Sequence, residues 1–385
     1  MLRVLAVSTR YPDAARPGLG GFVERQMREL ARRPGFEVEI VAPIRRSVID
    51  LLNGGRALAR VPAEEEWNGL RVHRPRFTTP PRLPRWTPWT LARRLVPLAR
   101  RVRDRYPFDL VSAEFSWPEG PAAIAIGKAF GIPVSIKARG FEFILRADDP
   151  ATHPPLLAAA RAAAGLLAVG GDLRAIMAQH GVPAERIETH YPAVDMEMFR
   201  PRNRAEAKRA LGISGPLLLT VGNLIPVKQQ HLAIDALAHL EGAVLMMVGG
   251  GPEAAALRRR AAGVGVSGRV QMLGSVPQAV LPEIYAAADV TIHPSRIEGF
   301  ANVRLESLAC GTPLITTAVG DAARLIRSPS HGRLVPPEPF AIARAVRDLL
   351  ASPRDPWAVR EAVRDFSWQR STDQLERYFL SLIGG

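Results

Sequence analysis

The 385-residue sequence contains very little of several features that mark particular classes of protein. Cys310 is the single cysteine, so the chain can form neither an intramolecular disulfide nor a thiolate zinc cage, and we expect a reducing compartment. No apolar run approaches the length that crosses a bilayer, and Met1–Ser8 is typical of a strand rather than a signal peptide. We therefore expect a cytoplasmic protein without a membrane span.

Two motifs with known chemistry are also missing. Gly18 and Gly20 are followed by Val23 where the dinucleotide-binding pattern G-x-G-x-x-G requires a third glycine, which argues against NAD binding. The chain has no Asp-x-Asp doublet and no histidine-rich cluster, and we take Asp148 and Asp149 as loop residues. We expect no catalytic metal.

Positive charge is present in excess, and it is concentrated. The net charge is +14, and residues 45–105 hold fifteen arginines against five acidic residues. An acidic partner is implied, whether nucleic acid, anionic lipid or a phosphorylated small molecule. Within this region Arg82–Arg105 combines Trp86 and Trp89 with arginines, a pattern that fits peripheral contact with an anionic membrane or a core-facing helix with a basic outer face. We expect no nucleic-acid partner, because no nucleic-acid module accompanies it.

Strand-length apolar runs alternate with helical patterns along the chain, which predicts an α/β protein with parallel sheets. Two such series follow one another, and a length of 385 residues suits two domains. The first series has strands near 4–8, 38–42, 110–113, 134–136 and 166–169. The second has strands near 217–221, 244–248, 270–273, 290–293 and 314–316. In such sheets ligands bind at the carboxyl ends of the strands, so we expect the functional residues in the loops that follow the second series of strands.

One of these loops carries a pair of glutamates. Glu298 and Glu306 are eight positions apart, and we expect a helix to start at 299–302, which places Glu306 about two turns inside it. The helix N-terminus would direct free N–H groups toward a phosphate, and paired carboxylates suit sugar and ribose hydroxyls. For two isolated glutamates, a helix cap and a solvated side chain would be the favoured explanation, and only the surrounding segment favours a site.

The surrounding segment from Ser295 to Gly320 resembles the Glu-x7-Glu donor motif and the following Ala-Cys-Gly-Thr-Pro strand of the retaining GT-B glycosyltransferases of group 1, or family 4. By this resemblance Glu298 contacts the donor sugar and Glu306 binds the ribose hydroxyls. The other donor-binding positions that the resemblance implies are Gly20, Gly21, Asn223, Lys228, Val276, Gly299, Phe300, Ala301, Asn302 and Val303. Asn223 stands where relatives have an arginine, so one positive charge near the diphosphate must come from elsewhere or be absent.

The resemblance is weaker in the first half of the chain. Arg139 aligns where many relatives have a histidine near the transferred sugar, and it would join Glu298 and Lys228 as a catalytic residue by stabilising the leaving diphosphate. Glu114, Trp117 and Glu119 resemble a loop on the acceptor side, although helix capping is an equal interpretation.

The resemblance implies a GT-B architecture of two Rossmann-like, doubly wound parallel-sheet domains that face an interdomain cleft. We expect an acceptor-side domain of residues 1–200, completed by a C-terminal helix at 366–385, and a nucleotide-sugar domain of residues 201–365. The implied function is retaining transfer from a UDP- or GDP-sugar to a glycan or lipid-linked acceptor in bacterial surface polysaccharide or glycolipid synthesis, with no cofactor. A nucleotide-sugar epimerase or hydrolase, and a non-enzymatic basic binding protein, remain alternatives.

Overall fold

The structure is a computed structural model that describes residues 1–46, 56–79 and 83–384. The chain divides into two compact units. The first comprises Met1–Tyr191 with Gln369–Gly385, and the second comprises Pro192–Trp368.

The first unit is built on a parallel sheet with the strand order β10-β9-β8-β7-β1-β2-β5-β4, in which only the edge pair β4–β5 is antiparallel. Two further strands, β3 and β6, form a separate parallel pair. The strands are β1 Leu2–Val7, β2 Phe36–Val41, β3 Ile44–Arg46, β4 Glu64–Trp67, β5 Leu70–His73, β6 Arg76–Thr78, β7 Leu110–Ala113, β8 Val134–Ala138, β9 Gly165–Ala168 and β10 Ile187–Thr189.

Helices connect these strands. They are Gly21–Ala31, Arg56–Ala59, Thr87–Arg103, Glu119–Phe130, Phe141–Ala147, His153–Ala162, Gly171–Gln179 and Trp368–Ser381, with short 3-10 helices at Pro84–Trp86 and Ala184–Arg186. The last α-helix packs back onto this unit, because Leu375 and Phe379 are buried in one apolar cluster with Leu2 and Val4 of β1. The C-terminal residues therefore complete the core of the first unit.

The second unit is built on a fully parallel sheet with the strand order β13-β12-β11-β14-β15-β16. The strands are β11 Leu217–Val221, β12 Val244–Val248, β13 Val270–Gly274, β14 Val290–His293, β15 Leu314–Thr316 and β16 Gly332–Leu334. The α-helices are Arg204–Ala210, His231–Leu237, Ala254–Gly263, Leu281–Ala287, Asn302–Ala309, Ala322–Leu325, Pro339–Ala351 and Pro356–Arg360. Short 3-10 helices lie at Pro226–Lys228, Ser267–Arg269, Gln278–Val280 and Glu361–Val363.

Burial explains why these segments form central strands. All five residues of β11 are buried, as expected where helices cover both faces of a parallel sheet. Leu218 of β11 and Ile292 of β14 share an apolar cluster with Ile234 and Val346 from two flanking helices. Each unit thus has the two-sided core of a doubly wound sheet, which confirms the expected fold class.

Both sheets have a topological switch point, where successive connections leave in opposite directions along the sheet. In the first sheet it lies between β1 and β7, and in the second between β11 and β14. Ligands of open parallel sheets bind at the carboxyl edge of such points. The loops after these four strands are therefore the expected ligand-binding positions.

Candidate functional site

Lys228 and Glu298 meet at the switch point of the second sheet. Lys228 ends the 3-10 helix that follows β11, and Glu298 lies in the loop that follows β14. The Lys228 Nζ atom donates a hydrogen bond to the Glu298 Oε1 atom, and both side chains are largely shielded from solvent. The structure therefore brings together two sequence-predicted residues that lie seventy positions apart.

A buried histidine, His293, lies beside Glu298, and a buried arginine, Arg304, donates a hydrogen bond to the histidine. Burial, together with the charges of Arg304 and Lys228, holds the pKa of His293 well below its usual value, so the imidazole is neutral. The Arg304 Nε atom donates to His293 Nδ1 at 3.2 Å, which places the ring proton on Nε2, 3.3 Å from Glu298 Oε1. Arg304 also donates to the carbonyl oxygen of Val319 at 2.6 Å. Sequence reasoning missed His293 and Arg304, whose partners lie on other loops.

Glu306 lies on the helix beyond this loop. The helix begins at Asn302, because Ala301 is extended with φ −91° and ψ 112°, so Glu306 is one turn inside rather than the expected two. Glu306 accepts hydrogen bonds from Tyr285 Oη at 3.1 Å and Gln278 Nε2 at 3.4 Å. Burial raises its pKa, while both hydrogen bonds act in the opposite direction. The side chain is thus held in one position.

The other predicted donor positions surround these carboxylates. No side chain caps the helix at Asn302, so its first N–H groups, with that of Val303, remain oriented outward. Gly299, Phe300 and Ala301 form the connection into the helix. Asn223 is exposed in the loop after β11, and Val276 is partly buried in the loop after β13.

An open cavity of about 540 Å³ adjoins the loops of the Lys228–Glu298 pair. Gln229 and Arg296 line it, and each lies within two residues of one member of the pair. Arg296 is exposed and adds a second cation to the loop that carries Glu298. A volume of this size lies in the range of roughly 300–1,000 Å³ that is typical of small-molecule sites.

At the switch point of the first sheet, Gly20 and Gly21 start the helix that follows β1. Gly20 has a φ of 69°, and an added Cβ would lie 2.0 Å from the Arg10 carbonyl oxygen, so the loop requires glycine there. From the first turns of this helix, Gln26 reaches the loop after β7, where its Nε2 atom donates to Glu114 Oε2 at 3.0 Å.

Arg139, which follows β8, is held by the same carboxylate. Its Nη2 atom donates to Glu114 Oε2 at 2.5 Å, its Nε atom donates to the Glu114 carbonyl oxygen at 2.8 Å, and its guanidinium lies 4.9 Å from the Phe22 ring centroid. The side chains of Arg139 and Glu114 are only 9% and 1% exposed. The arginine is thus paired with a carboxylate, and a diphosphate would have to compete with Glu114 for it.

Trp117 and Glu119 are buried in this structure. Glu119 Oε1 accepts hydrogen bonds from the Thr9 amide at 2.7 Å and the Thr9 hydroxyl at 2.5 Å. Burial raises the pKa of Glu119 to about 7. The carboxyl fastens the loop after β1 to the helix after β7, so it holds the loop instead of presenting itself to solvent.

The basic segment forms the helix Thr87–Arg103, preceded by a 3-10 turn; Arg82 lies outside the described residues. One face of the helix packs inward through Pro88, Leu91, Leu95, Ala99 and Val102. Trp86 and Trp89 are 42% and 52% exposed. Their rings meet edge to face at 5.9 Å, and Arg93 lies 4.8 Å from the Trp89 ring centroid.

Residues 1–46, 56–79 and 83–384 contain no group of three or more histidine, cysteine, aspartate or glutamate side chains that could hold a metal ion. None of the helices in those ranges combines the length and apolar character needed to span a bilayer.

Two family descriptions match the chain, one in each unit. "Glycosyl transferase 4-like domain" matches residues 18–193, and "Glycosyl transferases group 1" matches residues 203–366. A D-inositol 3-phosphate glycosyltransferase of Mycobacterium tuberculosis is 30% identical over 310 residues, which cover 74% of this chain and 64% of that protein. The chain therefore spans slightly less than two thirds of the length of the curated relatives that it matches.

Solved structures share the fold at lower sequence identity. Sucrose-phosphate synthase from Thermosynechococcus elongatus superposes with a TM-score of 0.81 at 22% identity, and the match covers 100% of both chains. Anabaena HepE in complex with UDP and glucose gives a TM-score of 0.76 at 19% identity, with 99% of this chain and 100% of that chain covered. The chain therefore belongs to the group 1 glycosyltransferases and has their GT-B fold.

Proposed function

We propose that this protein is a retaining glycosyltransferase that takes a sugar from a UDP- or GDP-sugar. The observation that carries the proposal is the Lys228–Glu298 pair at the switch point of the second sheet, with Glu306 one turn into the adjoining helix. The mycobacterial relative is named a glycosyltransferase, and the Anabaena structure contains UDP and glucose, which supports this donor class.

The roles follow from charge and position. Lys228 binds the donor diphosphate, with help from the N–H groups of Asn302 and Val303 at the helix N-terminus. Glu298, which Lys228 releases on binding phosphate, accepts hydrogen bonds from sugar hydroxyls. Glu306 accepts from the ribose hydroxyls. As the sugar–phosphate bond breaks, negative charge grows on the diphosphate, and these fixed positive groups stabilise it.

The remaining donor contacts are backbone contacts. Gly299, Phe300 and Ala301 supply N–H groups to the sugar, Val276 meets the base, and Gly20 and Gly21 supply backbone N–H groups to a phosphate. Asn223 contributes no charge. Arg139 adds a positive charge once the diphosphate competes with Glu114. Because these groups supply the positive charge, we propose that transfer requires no metal ion.

We assign the acceptor, a hydroxyl of a glycan or a lipid-linked glycan of a cell-surface polymer or glycolipid, to the first unit. Glu114, Trp117 and Glu119 would shape this region from within, since all are buried. Retention of the anomeric configuration is the expectation for this family, and the product tests it.

Labelled UDP- and GDP-sugars, incubated with the protein and a panel of glycan and lipid-linked acceptors, test the proposal. We expect transfer with one donor class, retained configuration by NMR, and unchanged rates in EDTA. Lys228→Met should lower kcat by roughly a hundredfold, because it removes the positive charge that stabilises the leaving diphosphate. Lys128→Met, at an exposed position, is the matched control and should be without effect. Donor turnover without acceptor would indicate a hydrolase or epimerase instead.

We further propose that the Thr87–Arg103 helix and the turn before it contact an anionic membrane. Between residues 83 and 103 there are six arginines and no acidic residue. Trp86 and Trp89 are exposed, and the cations beside their rings are Arg85 and Arg93, respectively. Tryptophan rings prefer the headgroup region, and arginines there bind lipid phosphates.

Co-sedimentation with vesicles tests this contact. We expect binding to vesicles containing phosphatidylglycerol, little binding to phosphatidylcholine alone, and weaker binding as salt rises. Replacing both tryptophans, as Trp86→Ser with Trp89→Ser, should weaken binding by roughly tenfold or more. Trp357→Ser is the control, because Trp357 is 59% exposed in the second unit. Equal binding to both vesicle types, or tighter binding to single-stranded RNA, would contradict the proposal.

A further inference from the structure

Lys137 is a buried amine for which the proposed chemistry has no use. It lies in β8, and its side chain is only 1% exposed. Its Nζ atom donates to Gln26 Oε1 at 2.8 Å and to His190 Nδ1 at 2.5 Å. His190 is also buried, and its Nε2 atom donates to the Ser371 carbonyl oxygen at 2.9 Å. Lys137 thus joins the first helix to the C-terminal helix.

The hydrogen bonds balance if Lys137 is a neutral amine. A neutral amine has two N–H donors, and Gln26 and His190 supply one acceptor each. A protonated amine would bring a third donor and a second positive charge beside Arg139. Burial and the charge of Arg139 hold the pKa of Lys137 well below its usual value, in agreement with this count.

Gln26 links Lys137 to Arg139 through hydrogen bonds. Its Oε1 atom accepts from Lys137 and, at 3.3 Å, from Arg139 Nη2, while its Nε2 atom donates to Glu114 Oε2. If the amide rotated by half a turn, its NH₂ group would face the Arg139 donor, its oxygen would face the Glu114 carboxylate, and the hydrogen bond from Lys137 to the amide oxygen would be lost. Lys137 therefore stabilises the observed orientation of the amide, and the amide supports both Arg139 and its carboxylate partner.

We propose that Lys137 is a positioning residue, which orients the Gln26 amide and thereby holds the Arg139 guanidinium in place against Glu114. The inference rests on the proposed function, because it matters for transfer only if Arg139 stabilises the leaving diphosphate. Lys137 touches neither donor nor acceptor.

A double-mutant cycle on transfer kinetics tests the proposal. Lys137→Met should lower kcat by roughly tenfold and leave the donor KM nearly unchanged, since Arg139 acts as the diphosphate leaves. Arg139→Met should lower kcat by roughly a hundredfold. Lys137→Met should then cause no further loss in the Arg139→Met background, because its effect passes through Arg139. Lys128→Met is the matched control.

Gln26→Met provides a second route if Lys137→Met does not fold. It breaks the link while Lys137 stays, and it should lower kcat to a similar extent. Additive losses in the cycle, or wild-type kcat in both Lys137→Met and Gln26→Met, would overturn the positioning role. Wild-type kcat in Arg139→Met would instead remove Arg139 from the proposed function, so the two failures are distinguishable.

Discussion

At the scale of single residues, the functional candidates are held by partners that the local sequence does not reveal. Lys228 and Glu298 were predicted because each lies in a recognisable motif after a strand. His293 and Arg304 were missed because a histidine at a strand end and an arginine in a helix usually reach solvent. Only the fold shows that both are buried and support Glu298.

Glu119 illustrates how burial changes the chemistry of one carboxyl. Its pKa rises from the usual 4.5 to about 7 on folding, so the folded chain holds its proton more tightly than the unfolded chain. Stability therefore falls as pH rises through that window. Glu119→Gln keeps an acceptor for Thr9 and does not titrate. We expect the variant to gain about 3 kcal/mol over wild type from pH ~4 to pH ~8.

Urea unfolding of both proteins across this pH range measures the difference. Glu185→Gln, at an exposed position in the same unit, is the control and should follow wild type at every pH. A constant difference between Glu119→Gln and wild type would show that the Glu119 carboxyl does not titrate in this window.

At the scale of elements, the loops of the second sheet fit together through backbone contact. Gly249 follows β12 with a φ of 138°, and an added Cβ would lie 1.9 Å from the Gly222 carbonyl oxygen. Gly222 follows β11 with a φ of 140°, but a Cβ there would meet nothing within 4 Å. The two positions have nearly the same φ and differ in the space around an added Cβ.

Alanine substitutions at Gly222 and Gly249 distinguish the cost of backbone strain from the cost of disturbed packing. Gly222→Ala should cost about 1–3 kcal/mol of unfolding free energy through strain alone. Gly249→Ala should cost roughly 2 kcal/mol more, because two loops must also move apart. Chemical denaturation, followed through the transition of the second unit, measures both. Equal costs would mean that the two loops are not in close contact.

The sequence predicted the central strands well, because buried parallel strands are continuous apolar runs. Residues 217–221 and 290–293 were assigned with the bounds that the structure has. It did not predict β16, since Gly332–Leu334 is three residues long and includes an arginine. Likewise the helix start at 299–302 was placed too early, because three residues of extended or irregular backbone precede Asn302.

At the scale of the whole molecule, the chain consists of two doubly wound units, and their functional residues were not equally predictable from the sequence. Most residues of the proposed donor site could be predicted because they lie in one segment, Ser295–Gly320, that resembles a known motif. The hydrogen bonds among Glu114, Gln26 and Arg139 could not, since the three residues come from different elements that only the tertiary fold brings together. The C-terminal helix, which supplies Phe379 to the first core, was predicted only from the family resemblance, because its contacts lie far from it in sequence.

We propose that the second unit binds the nucleotide part of the donor through Lys228 and Glu306, while Glu298 contacts the sugar. Titration calorimetry with UDP and GDP tests it most directly. We predict that one nucleotide binds to wild type and to the exposed-site control Glu241→Ala alike, and at least about tenfold more weakly to Glu306→Gln, which loses a charged acceptor for the ribose hydroxyls. Undiminished nucleotide binding by Glu306→Gln, or no binding of either nucleotide to the wild-type protein, would contradict it.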